Sequence, residues 1–264
     1  MREPAIARLR APEVAARLAA GAALILPAGS TESHGPAAPM GDYLLAEAIA
    51  QEIARSLQQA GDDALIAPPL AYGGADFFAG IPGAAAIEPE TLAALLYDLL
   101  ACFAAGGAQR ILILNGHGGN IGAIEAAQRR LREARGLIAP ALHLWREAAA
   151  LLPGLGVDPA AVGHGGAPVL AVARHLLPDL CGPDVTTAAA PRPVFGLPAA
   201  GLGAVAAGGL RFGVPMRLAE AAPEGLEASR TEGATAALGA RLVAALVAAA
   251  VEMLRSLRPS AGGA

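Results

Sequence analysis

Residues Gly107–Asn120 read GAQRILILNGHGGN. Ile111–Leu114 is an unbroken apolar run of strand length, and it gives way at once to asparagine, histidine and glycine. A strand with no polar alternation is buried on both faces, the pattern of a parallel sheet covered by helices on each side. The same signature opens the chain at Ala22–Pro27, AALILP, and recurs more briefly at Ala64–Pro68 and Leu137–Leu144. Helical segments fall between them: Pro12–Ala20, Asp42–Leu57, Glu88–Ala105 and Ile121–Arg135. Strands alternating with helices predict an α/β fold, a mainly parallel sheet with right-handed crossovers.

The rest of the chain is less regular. From Pro153 to Gly225 it is dense in Gly, Pro and Ala, with one helix expected near Pro168–Leu177. Arg230–Leu257 reads as a long alanine-rich helix packing across the sheet. The loop PPLAYGGADFFAGIPG, after the second strand, is long and rich in aromatics, which suggests a functional segment or a partner contact. No repeat or sharp change of composition divides the sequence, so one domain over 1–264 is expected.

Composition narrows the function. The net charge of −4 and scattered basic residues exclude a nucleic-acid footprint. Two cysteines form neither a disulfide framework nor a thiolate metal site, and Cys102, in an apolar helical stretch, is expected to be a buried, inert thiol. Charges throughout Met1–Pro12, with no apolar stretch after them, argue against a leader peptide. The apolar run Leu242–Val251 is too short to span a bilayer. A cytoplasmic protein with no membrane partner is expected. The 16% charged content is low for a small monomer and favours a homo-oligomer that hides part of its surface.

Ligands of open α/β sheets collect at the carboxyl ends of the strands. Two strands here end in GSTESHGPAAPMGD (29–42) and NGHGGN (115–120), and a third histidine patch, GHGG, spans 163–166. Glycine beside histidine lets backbone and imidazole approach a common centre. Glu32 and His34 alternate across one residue, so an extended segment points both to one side. With Asp42 and His117 they suit Zn, Mn or Fe. The plain alternative, histidines that are merely satisfied polar residues and a glutamate that caps a turn, has equal standing on these features. Ser30 lacks the glycine two residues on that a nucleophile elbow needs, and no loop has the Lys-Ser/Thr ending of a P-loop. His143 and His175 are weaker candidates.

At these residues the sequence resembles the creatininase (creatinine amidohydrolase) family. LPAGSTESHGPAAPMGD, FFAGIPGAAAIEPET, GAQRILILNGHGGN and GHGGAPVLAVARHLLPDL are similar to four family segments in the family's order, between about Leu24 and Leu180. The resemblance implies a three-layer αβα sandwich, often assembled as a hexamer, with one or two divalent ions per subunit hydrolysing a small cyclic or linear amide. Carried over, Glu32 and His34 would bind different ions, Asp42 would bridge them, His117 would join Glu32, and His164 would be a catalytic histidine near the leaving nitrogen. The family also includes peptidases of mycofactocin maturation, so a short peptide is an alternative substrate. Departures fall at the site itself. Gly119, Ala167 and Val169 stand where family members carry a glutamate ligand of the second metal, Ala37 replaces a histidine, and His34 to Asp42 is one residue short. A catalytically impaired homologue with a binding or structural role is a further reading.

Overall fold

A computed structural model describes residues 1–74, 77–186, 191–222 and 230–257. Four parallel strands form the central sheet: β1 (Ala23–Ala28), β2 (Ala64–Ile66), β5 (Ile111–Asn115) and β6 (Ala141–His143), in the order β2-β1-β5-β6. Alternation along β1 sorts its side chains between two cores. Ala23 and Ile25 face a layer that includes α2 (Asp42–Gln59), α5 (Leu144–Leu151), α6 (Val169–Leu176) and α8 (Ala236–Ser256). Leu24 and Leu26 face one built from α1 (Ala11–Ala19), α3 (Pro89–Ala105) and α4 (Ile121–Arg135). The unbroken apolar runs read in the sequence are therefore strands covered on both sides, in three αβα layers.

The topology places the site. From β1 the chain crosses to β2 on one side, then returns to lay β5 on the other. The order of strand addition thus reverses between β1 and β5, where open α/β folds leave a crevice at the carboxyl ends. Ala28 pairs with Asn115 at those ends, and Asn115 with His143. The loops carrying Glu32, His34 and His117 leave from this line.

Several boundaries differ from the sequence expectation. The strand expected at Leu137–Leu144 spans only Ala141–His143, because Pro140 has no N–H for the ladder, although its carbonyl accepts from Ile113 N. The last long helix begins at Ala236, where the Thr235 side chain accepts a bond from Leu238 N and caps it. It lies on α6 and α2, burying Leu238, Leu242, Val243, Leu246, Ala250 and Leu254. By length and composition alone this helix would also pass for a membrane span. Cys102 is exposed, contrary to expectation, because α3 buries the stripe Leu92, Leu96 and Leu100 and the thiol falls off that stripe.

Short strands missed in the sequence lie in its glycine-rich parts: β3 (Gly73–Gly74) paired with β4 (Ala86–Ile87), and a hairpin of β7 (Ala204–Ala207) and β8 (Leu210–Gly213). The hairpin turns through Gly208 and Gly209, both at positive φ. A Gly-Gly pair between apolar runs was the available signal. A four-residue helix, α7 (Leu218–Ala221), follows it. Residues 75–76 of the aromatic loop lie outside the described residues.

Candidate metal centre

Glu32, His34, Asp42 and His117, four polar side chains, are almost wholly buried at the carboxyl ends of β1 and β5. Asp42 is the first residue of α2, and its Oδ1 accepts a 2.5 Å bond from Ser30 N. The approach needs Gly29, whose Cβ would lie 2.3 Å from that oxygen. Glu32 accepts a 2.6 Å bond from the Ser30 hydroxyl at Oε2. Ser30, set aside as a nucleophile, holds both carboxylates in place.

The histidines are oriented by the main chain. His117 Nε2 lies 3.0 Å from the Gly74 carbonyl, His34 Nδ1 3.2 Å from that of Pro39, and His164 Nε2 2.6 Å from that of Ser33. A ring nitrogen that donates to a carbonyl leaves the lone pair on the other, which fixes the tautomer a metal ligand needs. Asn115 braces the His117 loop, donating to its carbonyl at 2.7 Å and accepting from its N–H at 3.2 Å. Asn120 ties together Gly29, Gly74 and Asn115. Trp145 donates its indole N–H to the Gly116 carbonyl. The sequence reading passed over Asn115 and Asn120; both flank the quoted histidine, where a polar residue after a buried strand has main chain to satisfy.

Glu32 sits at the middle of the cluster. Its Oε2 is 2.7 Å from His117 Nδ1, its Oε1 is 3.2 Å from His34 Nε2, and Asp42 Oδ2 is 3.6 Å from His117 Nδ1. Among the described residues, two triads bring ligand atoms within 4.8 Å of one another: Glu32, Asp42 and His117, and Glu32, His34 and His164. The residue common to both is Glu32, whereas the family pattern had implied Asp42. His143 bonds Asn115 and His175 lies on α6, and neither belongs to a triad.

The charges are not settled by the protein alone. Burial opposes the charge on Glu32, but bonds from His117 and His34 outweigh it and hold the carboxyl far below its usual range. Burial and the Glu32 charge instead raise Asp42 above its usual value, even with the His117 ring 3.6 Å from its Oδ2. Burial also works against a charge on His117, yet its two carboxylate partners push it up to about 10. His164 is pushed down to about 4, first by desolvation and then by His34. Asp42 Oδ2 is buried with no hydrogen-bond partner. An orphan carboxylate oxygen beside a carboxylate and two imidazoles is a donor set that a divalent ion fits.

A cavity of about 430 Å³ opens onto this cluster, with Phe77, Phe78, Trp145, Val162, Val169 and Leu202 among its walls. The Phe78 ring stacks on His164 at 4.7 Å between centroids, and His164 on His34 at 4.6 Å. Val169 and Ala167, which replace carboxylates of the family pattern, make part of this wall apolar.

Known proteins resemble this chain in sequence and in fold. The family model for creatinine amidohydrolase matches residues 7–254. The mycofactocin precursor peptide peptidase of Mycolicibacterium smegmatis is 39% identical over 111 residues, 41% of this chain and 44% of that protein. The creatinine amidohydrolase of Pseudomonas putida is 34% identical over 136 residues, 46% and 49% of the two chains. Each alignment thus spans less than half of the relative's own length. A solved mutant creatininase of Zn-Zn type superposes with a TM-score of 0.77 at 24% identity, covering 97% of this chain and 98% of that one, which shows a shared fold.

Proposed function

Because the chain belongs to the creatininase family, we propose that it is a metal-dependent amidohydrolase that cleaves a C–N amide bond with water. The observation that carries this is the buried Asp42 oxygen that has no hydrogen bond beside Glu32 and His117. Glu32, Asp42 and His117 would hold a cation, Zn, Mn or Fe, with His34 beside the other Glu32 oxygen. A divalent ion bound there supplies a water acidic enough to yield hydroxide near neutral pH and polarises the amide carbonyl.

The chain's own residues do the remainder. Ser30 fixes Glu32 and the backbone of Ser30 fixes Asp42, so the ligands are preorganised. Phe78, Val162, Val169 and Leu202 give the cavity apolar walls beside the ligand cluster. These walls suit an amide that carries an apolar group, either a small cyclic or linear molecule or the end of a peptide. The peptide reading is favoured by the 39% identity to the mycofactocin precursor peptidase, and the small-amide reading by the cavity's modest size.

The metal-loaded protein, incubated with N-acyl amides and short peptides of graded hydrophobicity, is expected to release amine from the apolar members. Chelator and Asp42→Asn should each abolish that release. Full turnover in chelator would end the metal-dependent reading.

A further inference from the structure

A second cavity, of about 300 Å³, also opens onto the ligand cluster. Glu32, Phe78 and His117 line both cavities, and their other walls differ. The first is closed by large apolar side chains, the second by the Ser30–Thr31 turn, the short strands β3 and β4, and Glu88. Resting on the metal-dependent reading above, we infer that the substrate spans both cavities, with its apolar group in the first, and that Glu88 receives an ammonium or guanidinium group carried on the other side of the scissile amide.

Three observations carry this. First, a planar trans amide sends its two substituents in opposite directions, so a bond held at the cluster needs room on both sides. Two cavities that share Glu32 and His117 supply it. Second, the floor of the smaller cavity is the pair of Gly73 and Ala86, which project nothing longer than a methyl group, so its volume suits an unbranched tail. Third, Glu88 is the charged side chain that this cavity adds to the cluster. It precedes α3, yet its carboxylate does not cap that helix and enters no ion pair among the described residues. Glu32 is already engaged by His117 and His34. No arginine lines the cavity, so the charge of Glu88 is left for the substrate to meet, and a carboxylate tail would be repelled.

The test compares matched amides on the zinc-loaded full chain. In one series a hexanoyl group is joined to butylamine, 1,3-diaminopropane or β-alanine, so that the leaving side is neutral, cationic or anionic. In the other, hexylamine is acylated by hexanoyl or 5-aminopentanoyl groups, which puts the cation on the acyl side. In one of the two series the cationic amide should exceed the neutral one by roughly 5-fold in kcat/KM at low salt, the upper end for an ion pair open to solvent. The gain should lie in KM and shrink at high salt. Glu88→Gln should bring the ratio of cationic to neutral rates to about 1, Glu88→Asp should keep its direction, and Glu88→Lys should favour the anionic tail. Equal rates in both series, or a preference that survives Glu88→Gln, would overturn the proposal while leaving the hydrolase reading intact. If none of these amides is cleaved, their binding is compared by calorimetry. Tighter binding of a cationic amide that Glu88→Gln abolishes then supports the Glu88 subsite and counts against hydrolysis alone, whereas binding without preference, or none, defeats both.

Discussion

Nδ1 of His117 stands 2.7 Å from Oε2 of Glu32, both side chains buried, one at the end of β5 and the other on the loop after β1. Neither strand alone makes a site. Parallel pairing of β1 with β5 brings the imidazole to the carboxylate, and Asp42 at the start of α2 completes the group.

His117→Ala should remove the tightly bound ion, read as loss of stoichiometric metal by elemental analysis. It also leaves Glu32 and Asp42 buried together with only His34, on the far Glu32 oxygen, to offset their charge. In chelator at pH 7 the variant should be less stable by roughly 3 kcal/mol in chemical denaturation, the usual cost of breaking a buried pair from one side. Unchanged stability would mean that the two carboxylates are not held by this histidine.

Stability of the metal-free protein should peak near the ordinary histidine pKa. The His117 value is raised to about 10, so its contribution is fully present below about pH 6.5 and fades as pH climbs through 10. The His164 value is lowered to about 4, so its contribution is present above about pH 6.5 and fades as pH falls through 4. A melting temperature recorded in chelator should therefore decline on both sides. Added zinc should move the optimum upward, because the ion takes the place of the His117 proton. A flat profile between pH 7 and pH 10 in chelator would contradict the His117 assignment.

Gly29→Ala tests the geometry of Asp42 without altering any ligand. The new Cβ would lie 2.3 Å from Asp42 Oδ1 and 2.5 Å from Tyr43 N. Helix α2 must retreat, at a cost of about 1–3 kcal/mol, the range for overpacking. Metal affinity should fall with it. Wild-type affinity in a folded Gly29→Ala protein would show that Asp42 is not positioned through Ser30.

Gly239→Ala is the matched control, remote from the site. Its Cβ would meet the Ala171 carbonyl oxygen at 1.9 Å, where α8 crosses α6. The helices must separate and stability should fall by a comparable amount. The folded fraction should keep its metal content, which distinguishes damage to the scaffold from damage to the centre.

The layers of the fold were legible in the sequence because Ile111–Leu114 and Ala22–Pro27 are short runs apolar on both faces and bounded by glycine or polar residues, as covered parallel strands are. That Glu32, His34, Asp42 and His117 gather at one place was legible as well, from polar residues placed among glycines directly after such strands. Roles within the cluster were not. Whether Glu32 or Asp42 is common to both triads depends on which way each oxygen points, and that is set by Ser30 and Gly29 rather than by spacing. The β7–β8 hairpin escaped because alanine and glycine give no clear period-2 alternation. Exposure of Cys102 escaped because a uniformly apolar helix hides which stripe meets the sheet.

The central claim is that side chains from separate strand ends share a divalent cation, and anomalous diffraction from zinc-soaked crystals measures this directly. The account predicts a zinc peak about 2.0–2.2 Å from ligand atoms of Glu32, Asp42 and His117 together. Full zinc occupancy elsewhere, with Glu32 and His117 still bonded to each other and no peak between them, would contradict it.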